Sequence, residues 1–114
     1  MNRTARIRKA DKGILEDLKS GRKSIETRAA TRKFQSLAAG DTLTFVCGDE
    51  RVTLRVRKVY RWKSVDAMAR AISYKNVMPR AASLREVKAA YASWPRNEEN
   101  IRKHGLLGFL MEGV

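Results

Sequence analysis

Three charged residues that follow Gly21 could together hold a phosphate-bearing ligand. The alternating sequence from residue 24 to 28 predicts a short strand, with Glu26 and Arg28 on one face and close enough to interact. Lys23 lies in the turn before this strand, where its ammonium could reach a phosphate or a carbonyl. The carboxylate of Glu26 can orient the guanidinium of Arg28 or accept the amino protons of a base. The alternative for Lys23 is simple solvation, and for Glu26 and Arg28 it is a structural ion pair.

Basic residues are also concentrated in the most strongly patterned segment of the chain. Apolar and polar residues alternate from 52 to 57, and Val59 continues the apolar set on the opposite parity, so we expect a β-bulge near Arg57. Tyr60 and Trp62 are interleaved with the basic residues, and charge combined with aromatic surface is what single-stranded nucleic acid requires. Core packing is the favoured alternative for these two aromatics. The residues expected to contact phosphates here are Arg55, Arg57, Arg61 and Lys63.

The positive charge of the chain is large and unevenly distributed. The formal net charge is +13 over 114 residues; residues 1–33 contain eleven basic and four acidic side chains, and residues 51–63 contain six basic and none acidic. Such clustering favours a polyanionic partner, because each neutralised phosphate releases condensed counterions. Composition does not separate RNA, DNA and anionic lipid, and a solvated basic surface without a specific partner is the alternative. No strongly amphipathic basic helix supports a membrane surface as the partner.

The remaining composition indicates one domain covering residues 1–114. A chain of this length can bury one core if most of its apolar residues converge. Cys47 is the single cysteine, so no intrachain disulfide can form, and we interpret it as a small apolar residue at the end of a strand. No cluster of His and Cys offers a metal site, and no apolar segment reaches the length of a membrane span. We therefore expect a cytoplasmic monomer without metal, cofactor or membrane contact.

Local patterns predict short strands and three helices around the charged residues. Strands are expected near 5–8, 24–28, 42–46, 52–59 and 106–111, with a tight turn at 48–50. Helices are expected over 14–18, 65–72 and 84–94. Ser64 is expected to cap the second helix, and Ser83 with Glu86 has the spacing of a capping box at the start of the third. These elements define an α+β fold, a compact sheet closing toward a small barrel with two to three flanking helices.

Five blocks of the sequence, taken in order, resemble the ASCH family, named for homology to an activating signal cointegrator. Residues 21–28 are similar to the family's G-x-K-T-x-E-x-R signature, with Ser24 in place of the usual threonine. The other blocks are residues 40–41, the basic strand ending at 60–65, the turn at 77–79, and residues 104–108, where His104 replaces an aromatic residue. The resemblance implies a PUA-like β-barrel with helices packed at its side and a cleft at which the 21–28 segment lies.

The resemblance leaves two functions open, because family members have been linked to RNA binding and transcription coactivation, and some small bacterial ones to nucleoside deacylation or RNA cleavage. The first is an RNA- or nucleotide-binding module in which Lys23, Glu26 and Arg28 hold one nucleotide while the basic strand holds phosphates. The second is a hydrolase acting on RNA or modified nucleosides, with Lys23 and Glu26 as catalytic groups. Glu26 stands where deacylating relatives have a threonine, which disfavours the amidohydrolase form. Both functions rest on the expectation that the two basic segments border one cleft.

Overall fold

The computed structural model describes residues 1–114 as five strands and four α-helices. The strands are β1 (Asn2–Arg6), β2 (Ile25–Ala29), β3 (Thr42–Cys47), β4 (Glu50–Trp62) and β5 (Leu106–Gly113). The helices are α1 (Lys12–Ser20), α2 (Val65–Ala71), α3 (Leu84–Ser93) and α4 (Asn97–His104), with short 3₁₀ turns at Lys9–Asp11 and Tyr74–Asn76. None of these helices combines the length and the apolar character needed to cross a membrane.

All five strands belong to one mixed sheet in the order β1-β3-β4-β5-β2. β1 runs parallel to β3, whereas the other neighbouring strands are antiparallel. The sheet curls into a half-barrel, so its two edge strands approach each other, and Nη2 of Arg28 on β2 lies 3.5 Å from the carbonyl oxygen of Arg6 on β1. We call this gap between β1 and β2 the seam. The predicted α+β fold, a small barrel-like sheet with flanking helices, is confirmed.

The two faces of the sheet bury separate apolar cores. Leu43 and Phe45 on β3 pack inside the curl with side chains of α1 and the loop 31–37. On the other face, Ile25 and Leu106 pack against α2, α3 and α4. β5 contributes to both cores and lies between β4 and β2, as expected for a strand that is apolar on both faces. In this strand order β2 is an edge strand, and its charged residues lie at the seam.

The predicted β-bulge lies in β4. The register with β5 shifts between Val56 and Lys58, so Val56 and Val59 face the same core although they are three residues apart. Tyr60 and Trp62 consequently lie on the other face, where their rings stack with centroids 5.3 Å apart and pack against the second core. Core packing of both aromatics is therefore confirmed.

Local turn and cap predictions are also confirmed. The hydroxyls of Ser64 and Ser83 cap α2 and α3, the latter accepting from the Glu86 N–H at 3.3 Å. Gly48, with φ of 61°, lets the chain turn between β3 and β4 within two residues, and Cys47 before it is buried. These features depend on neighbours in the sequence, which is why the sequence pattern predicts them.

Two elements differ from the sequence-based expectation. β1 begins at Asn2 instead of residue 5, because parallel pairing with β3 starts at Asn2 opposite Thr42. α4 has no counterpart among the predicted helices, since its single buried side chain is Ile101 and no apolar repeat marks it. Acidic residues in the first turn of α4 and basic residues in its last turn suit the helix dipole instead.

Candidate functional site

A cleft of about 660 Å³ lies along the seam, between the half-barrel and α3. Its walls come from the end of β1, from α1 and β2, from the segment 77–81 and from residues 86–100. The volume falls within the usual range for small-molecule sites. Of the residues selected from the sequence, Lys23, Glu26 and Arg28 line this cleft.

Lys23 is 5% exposed, and three acceptors surround its ammonium. Nζ donates to the carbonyl oxygens of Ile25 at 3.0 Å and Val77 at 2.6 Å, and it lies 3.1 Å from Oε1 of Glu26. An ammonium has three hydrogens, so each of them has an acceptor in the protein. Lys23 therefore ties β2 to the segment 77–81 and holds Glu26, and it has no donor left for a ligand.

Glu26 is equally buried and equally engaged. Its Oε1 accepts from the Thr27 N–H at 3.1 Å as well as from Lys23. Its Oε2 accepts from Nε of Arg28 at 3.1 Å and from Nη2 at 3.0 Å. Both carboxylate oxygens thus receive two donors each. The predicted proximity of Glu26 and Arg28 on one face of the strand is confirmed.

Burial and charge act against each other in this network. Burial raises the pKa of Glu26, but the neighbouring charges of Lys23 and Arg28 outweigh it and hold that pKa below its ordinary value. Burial lowers the pKa of Lys23, and Glu26 offsets part of this change. The three acceptors around Nζ, one of them the Glu26 carboxylate, favour the charged form of Lys23 against the effect of burial. A carboxylate with a depressed pKa and four donors is a poor general base.

Arg28 is the member of the network that remains available. Its side chain is 27% exposed and lines the cleft. Nε and Nη2 are occupied by Glu26, whereas Nη1 takes part in no hydrogen bond within the protein. Its Cζ lies 5.5 Å from the ring centroid of Phe34. The guanidinium is thus fixed on one side by Glu26 and keeps free donors for an anionic ligand.

The helical wall of the cleft is anchored through Tyr91. Its hydroxyl is hydrogen-bonded to the hydroxyl of Thr27, which joins α3 to β2, and burial raises the pKa of Tyr91 well above its ordinary value. Trp94 packs against Tyr91 with ring centroids 5.5 Å apart and donates through Nε1 to Asp11 at 3.3 Å. An indole and a phenol ring therefore form part of the helical wall of the cleft.

Several arginines around the cleft are already paired. Asp17, which is 2% exposed, accepts from Arg80 at 2.9 Å and from Arg22 at 3.0 Å. Arg8 donates to Asp11 at 2.8 Å. The cleft is consequently lined by both signs of charge, and the cations left for a ligand are fewer than the composition indicates.

The second basic segment does not border this cleft. Arg55, Arg57, Arg61 and Lys63 are all absent from its walls. Arg55 donates to the carbonyl of Gly40 at 3.3 Å, and Arg61 to the carbonyl of Gln35 at 3.0 Å. The expectation of one shared cleft is therefore wrong, because β5 separates β4 from β2 in the sheet.

A second, shallower hollow of about 460 Å³ receives part of the second basic segment. Arg61 and Lys63 line it together with Arg102 and His104 from the end of α4, and no acidic residue is among its walls. Arg55 and Arg57 lie in neither hollow. Arg102 was not predicted, because α4 carries no apolar helical repeat that would mark it in the sequence.

Several residues of the cleft have no sequence signal of their own. Arg6 belongs to the basic amino-terminal segment and was not among the residues selected from the sequence. Tyr91 and Trp94 belong to an apolar helix pattern that is typical of core residues. Asn97 lies on the unpredicted helix α4. No group of three or more His, Cys, Asp or Glu side chains is arranged to hold a metal ion.

Solved archaeal structures share this fold. The hypothetical protein PH0355, known from a crystal structure, is 25% identical, with 100% of each chain covered and a TM-score of 0.82. Protein PF0455 from Pyrococcus furiosus, solved by NMR, is 24% identical over 100% of this chain and 98% of that chain, with a TM-score of 0.78. No protein-family model and no curated protein matches the sequence. These likenesses establish the fold and carry no ligand or activity with them.

Proposed function

We propose that this chain is an ASCH-like domain that binds a nucleotide-sized ligand, RNA in particular, in the seam cleft. The observation that carries the proposal is the state of Arg28: a buried Lys23–Glu26 pair fixes its guanidinium, and Nη1 stays free at the wall of a cleft of about 660 Å³. A fixed guanidinium binds phosphate with little further loss of side-chain freedom.

The rest of the cleft supplies what a base and sugar need. Trp94, which is half-buried, offers aromatic surface for stacking on a base, and the buried ring of Tyr91 packs against it. Asn97 lines the same wall with an amide that can hydrogen-bond to a base edge. The Nδ2 atom of Asn97 is held by the carbonyl of Tyr91 at 3.2 Å, which fixes the direction of its side-chain oxygen. The cleft therefore combines phosphate, stacking and base-edge groups.

The second basic segment supports the proposal in a different way from the one expected. Arg61, Lys63 and Arg102 surround a hollow without acidic residues, and Arg28 and Arg61 lie on one face of the sheet in register with Leu107 between them. A single strand that leaves the cleft past Arg28 would meet these cations next. We assign them to the flanking phosphates of a bound strand.

Binding of a short labelled RNA, followed by fluorescence anisotropy at several salt concentrations, tests the proposal. If about five phosphates are contacted, the slope of log K against log salt is roughly −3 to −4. Arg28→Ala is expected to weaken binding roughly ten- to hundredfold. Arg85→Ala on α3 removes an arginine that lines neither hollow and serves as the matched control. Equal effects of the two substitutions, or no binding at low salt, would rule out the proposal.

The hydrolase alternative has no comparable support. It requires Glu26 to take a proton and Lys23 to reach the reacting group, yet all the donors and acceptors of both side chains are used within the protein. Incubation of the wild type and a Lys23→Ala variant with RNA and with acylated cytidine separates a binder from a catalyst. Turnover that Lys23→Ala abolishes, in a variant that remains folded, would restore the alternative.

A further inference from the structure

Four cations lie near one another along the seam, two at the wall of the cleft and two beyond it. Nζ of Lys33 lies 5.3 Å from the ring centroid of Phe34, and Cζ of Arg28 lies 5.5 Å from the same centroid. Nη2 of Arg28 lies 3.5 Å from the backbone carbonyl oxygen of Arg6 across the seam. The charges of Arg6 and of Arg3, three residues earlier on β1, are near enough to Lys33 to contribute to lowering its pKa. We call Arg3, Arg6, Arg28 and Lys33 the seam cations.

The seam cations have almost no acidic partner. Arg3, Arg6 and Lys33 form no salt bridge, and both oxygens of Glu26 are occupied by Lys23 and Arg28. Asp41, whose carboxylate is also influenced by Arg3, already accepts from the amino-terminal ammonium at 3.1 Å and from the Ala38 N–H at 2.9 Å. The cluster therefore carries an excess of positive charge in this structure.

Two further observations accompany this excess of positive charge. The Nε atom of Arg3 is buried and has no hydrogen-bond acceptor, an arrangement that folded proteins usually avoid. Burial, followed by the charges of Arg28, Arg6 and Arg3, lowers the pKa of Lys33. The face of Phe34 compensates for this repulsion only in part, because a cation–π contact at an exposed site is weak. An anion with several acceptor oxygens would supply both the missing hydrogen-bond acceptor for Arg3 and the missing negative charge.

We propose that the seam cations form a site for a phosphomonoester, the terminal phosphate of a nucleotide or of an RNA end. A phosphomonoester brings close to two negative charges and three terminal oxygens, whereas an internal phosphodiester brings one charge. Four cations whose neighbouring carboxylates, Glu26 and Asp41, are already engaged match the former. Because Arg28 and Arg6 also line the cleft, this proposal rests on the proposed function and specifies which end of the nucleotide lies at the seam.

The test compares short RNAs of one sequence that carry a 5′-phosphate, a 3′-phosphate or hydroxyls at both ends, labelled internally so that both ends stay free. One phosphorylated end is expected to bind at least about tenfold more tightly than the hydroxyl form, a difference of about 1.4 kcal/mol. Inorganic phosphate is expected to compete and to raise the Tm of the free protein. Inorganic sulfate serves as the comparison for a general anion effect.

The matched variants remove one positive charge each from the same loop. Lys33→Gln is expected to reduce the preference for the phosphorylated end to about threefold or less. Arg32→Gln, at the neighbouring residue, is expected to retain the tenfold preference, because Arg32 makes no cation–π contact with Phe34 and is not among the charges that lower the pKa of Lys33. Arg3→Gln is the second variant and is expected to act like Lys33→Gln. Equal losses in the Lys33 and Arg32 variants would reduce the effect to general charge and overturn the site.

The outcomes separate this inference from the proposed function. RNA that binds through Arg28 with no preference for a phosphorylated end, and no rise in Tm with phosphate, overturns the phosphate site and leaves RNA binding intact. A Tm raised by phosphate through Lys33 without RNA binding supports the phosphate site and removes the RNA proposal. Equal responses to phosphate and sulfate, without an end preference, show an adventitious anion only and overturn the inference.

Discussion

Replacement of Glu26 by glutamine removes the charge that holds Lys23 and Arg28 together. In Glu26→Gln the side chain keeps its shape, but the buried ammonium of Lys23 loses its counter-ion. The carboxamide also presents N–H groups on one side, so it cannot accept from both neighbours as the carboxylate does. Loss of one partner of a buried ion pair costs about 3–5 kcal/mol. We expect the lower end, near 3 kcal/mol, because Lys23 keeps the carbonyl acceptors of Ile25 and Val77.

A loss of about 3 kcal/mol corresponds to a fall in Tm of roughly 12 °C for a domain of this size. Thermal unfolding followed by circular dichroism, with urea unfolding for the free energy, measures it. The decisive measurement is a double-mutant cycle in which Lys23→Met is introduced into the wild type and into Glu26→Gln. In the wild type it destabilises, since Glu26 loses a donor; in Glu26→Gln it stabilises, since an unpaired ammonium gives way to an apolar side chain of similar length. Additive effects of the two substitutions on the free energy of unfolding would show that Lys23 and Glu26 do not stabilise each other, and would refute the buried ion pair.

Three further outcomes are expected. The pKa of Glu26 is lowered on folding, so its contribution to stability is present above about pH 4.5 and is lost as the pH falls through the lower pKa of the folded state. The difference in Tm between the wild type and Glu26→Gln is therefore expected to narrow in acid. A difference in Tm that stays constant with pH would contradict the lowered pKa. In phosphate-free buffer of low ionic strength, Lys33→Met is expected to raise the Tm by about 2 °C because it relieves like-charge repulsion, whereas Arg32→Met is expected to leave the Tm unchanged. A lower Tm in Lys33→Met would count against the excess of positive charge at the seam. Gly108→Ala is expected to lower the free energy of unfolding in urea by about 1–3 kcal/mol, because the added Cβ would lie 2.5 Å from an indole carbon of Trp62. Gly113→Ala is the control, since a Cβ there meets no atom within 4 Å. Equal effects of the two substitutions would contradict the packing of Gly108 against Trp62.

The features that local sequence predicts are those whose partners are near in the chain. The β-bulge after Val56, the cap at Ser83 and the turn at Gly48 each depend on a few neighbouring residues, and all three are present. The same holds for Glu26 and Arg28, whose spacing on a strand places them side by side. Periodicity and turn chemistry therefore describe most elements of the fold and one contact of the candidate site.

The features that escape local sequence depend on distant pairing. The acceptor that saturates Lys23 belongs to Val77, 54 residues further along, and no pattern near either residue indicates the contact. Alternation places Arg61 on a face of its strand, but only the order β4-β5-β2 shows that another strand separates it from Arg28. The charge of Arg3, at the start of the chain, lowers the pKa of Lys33 only because β1 and β2 form the two edges of one curled sheet.

The central claim is that the seam cleft, through the free edge of Arg28, receives a phosphate-bearing nucleotide. A ¹H–¹⁵N NMR titration with a 5′-phosphorylated RNA trinucleotide tests it most directly, because the Arg28 Nε signal and the indole signal of Trp94 can be followed together with the backbone. The account predicts that these two signals and the amides of residues 25–28 and 77–81 shift with one common affinity. Shifts confined to the outer residues of β4 around Arg55 and Arg57, with Arg28 unaffected, would contradict it.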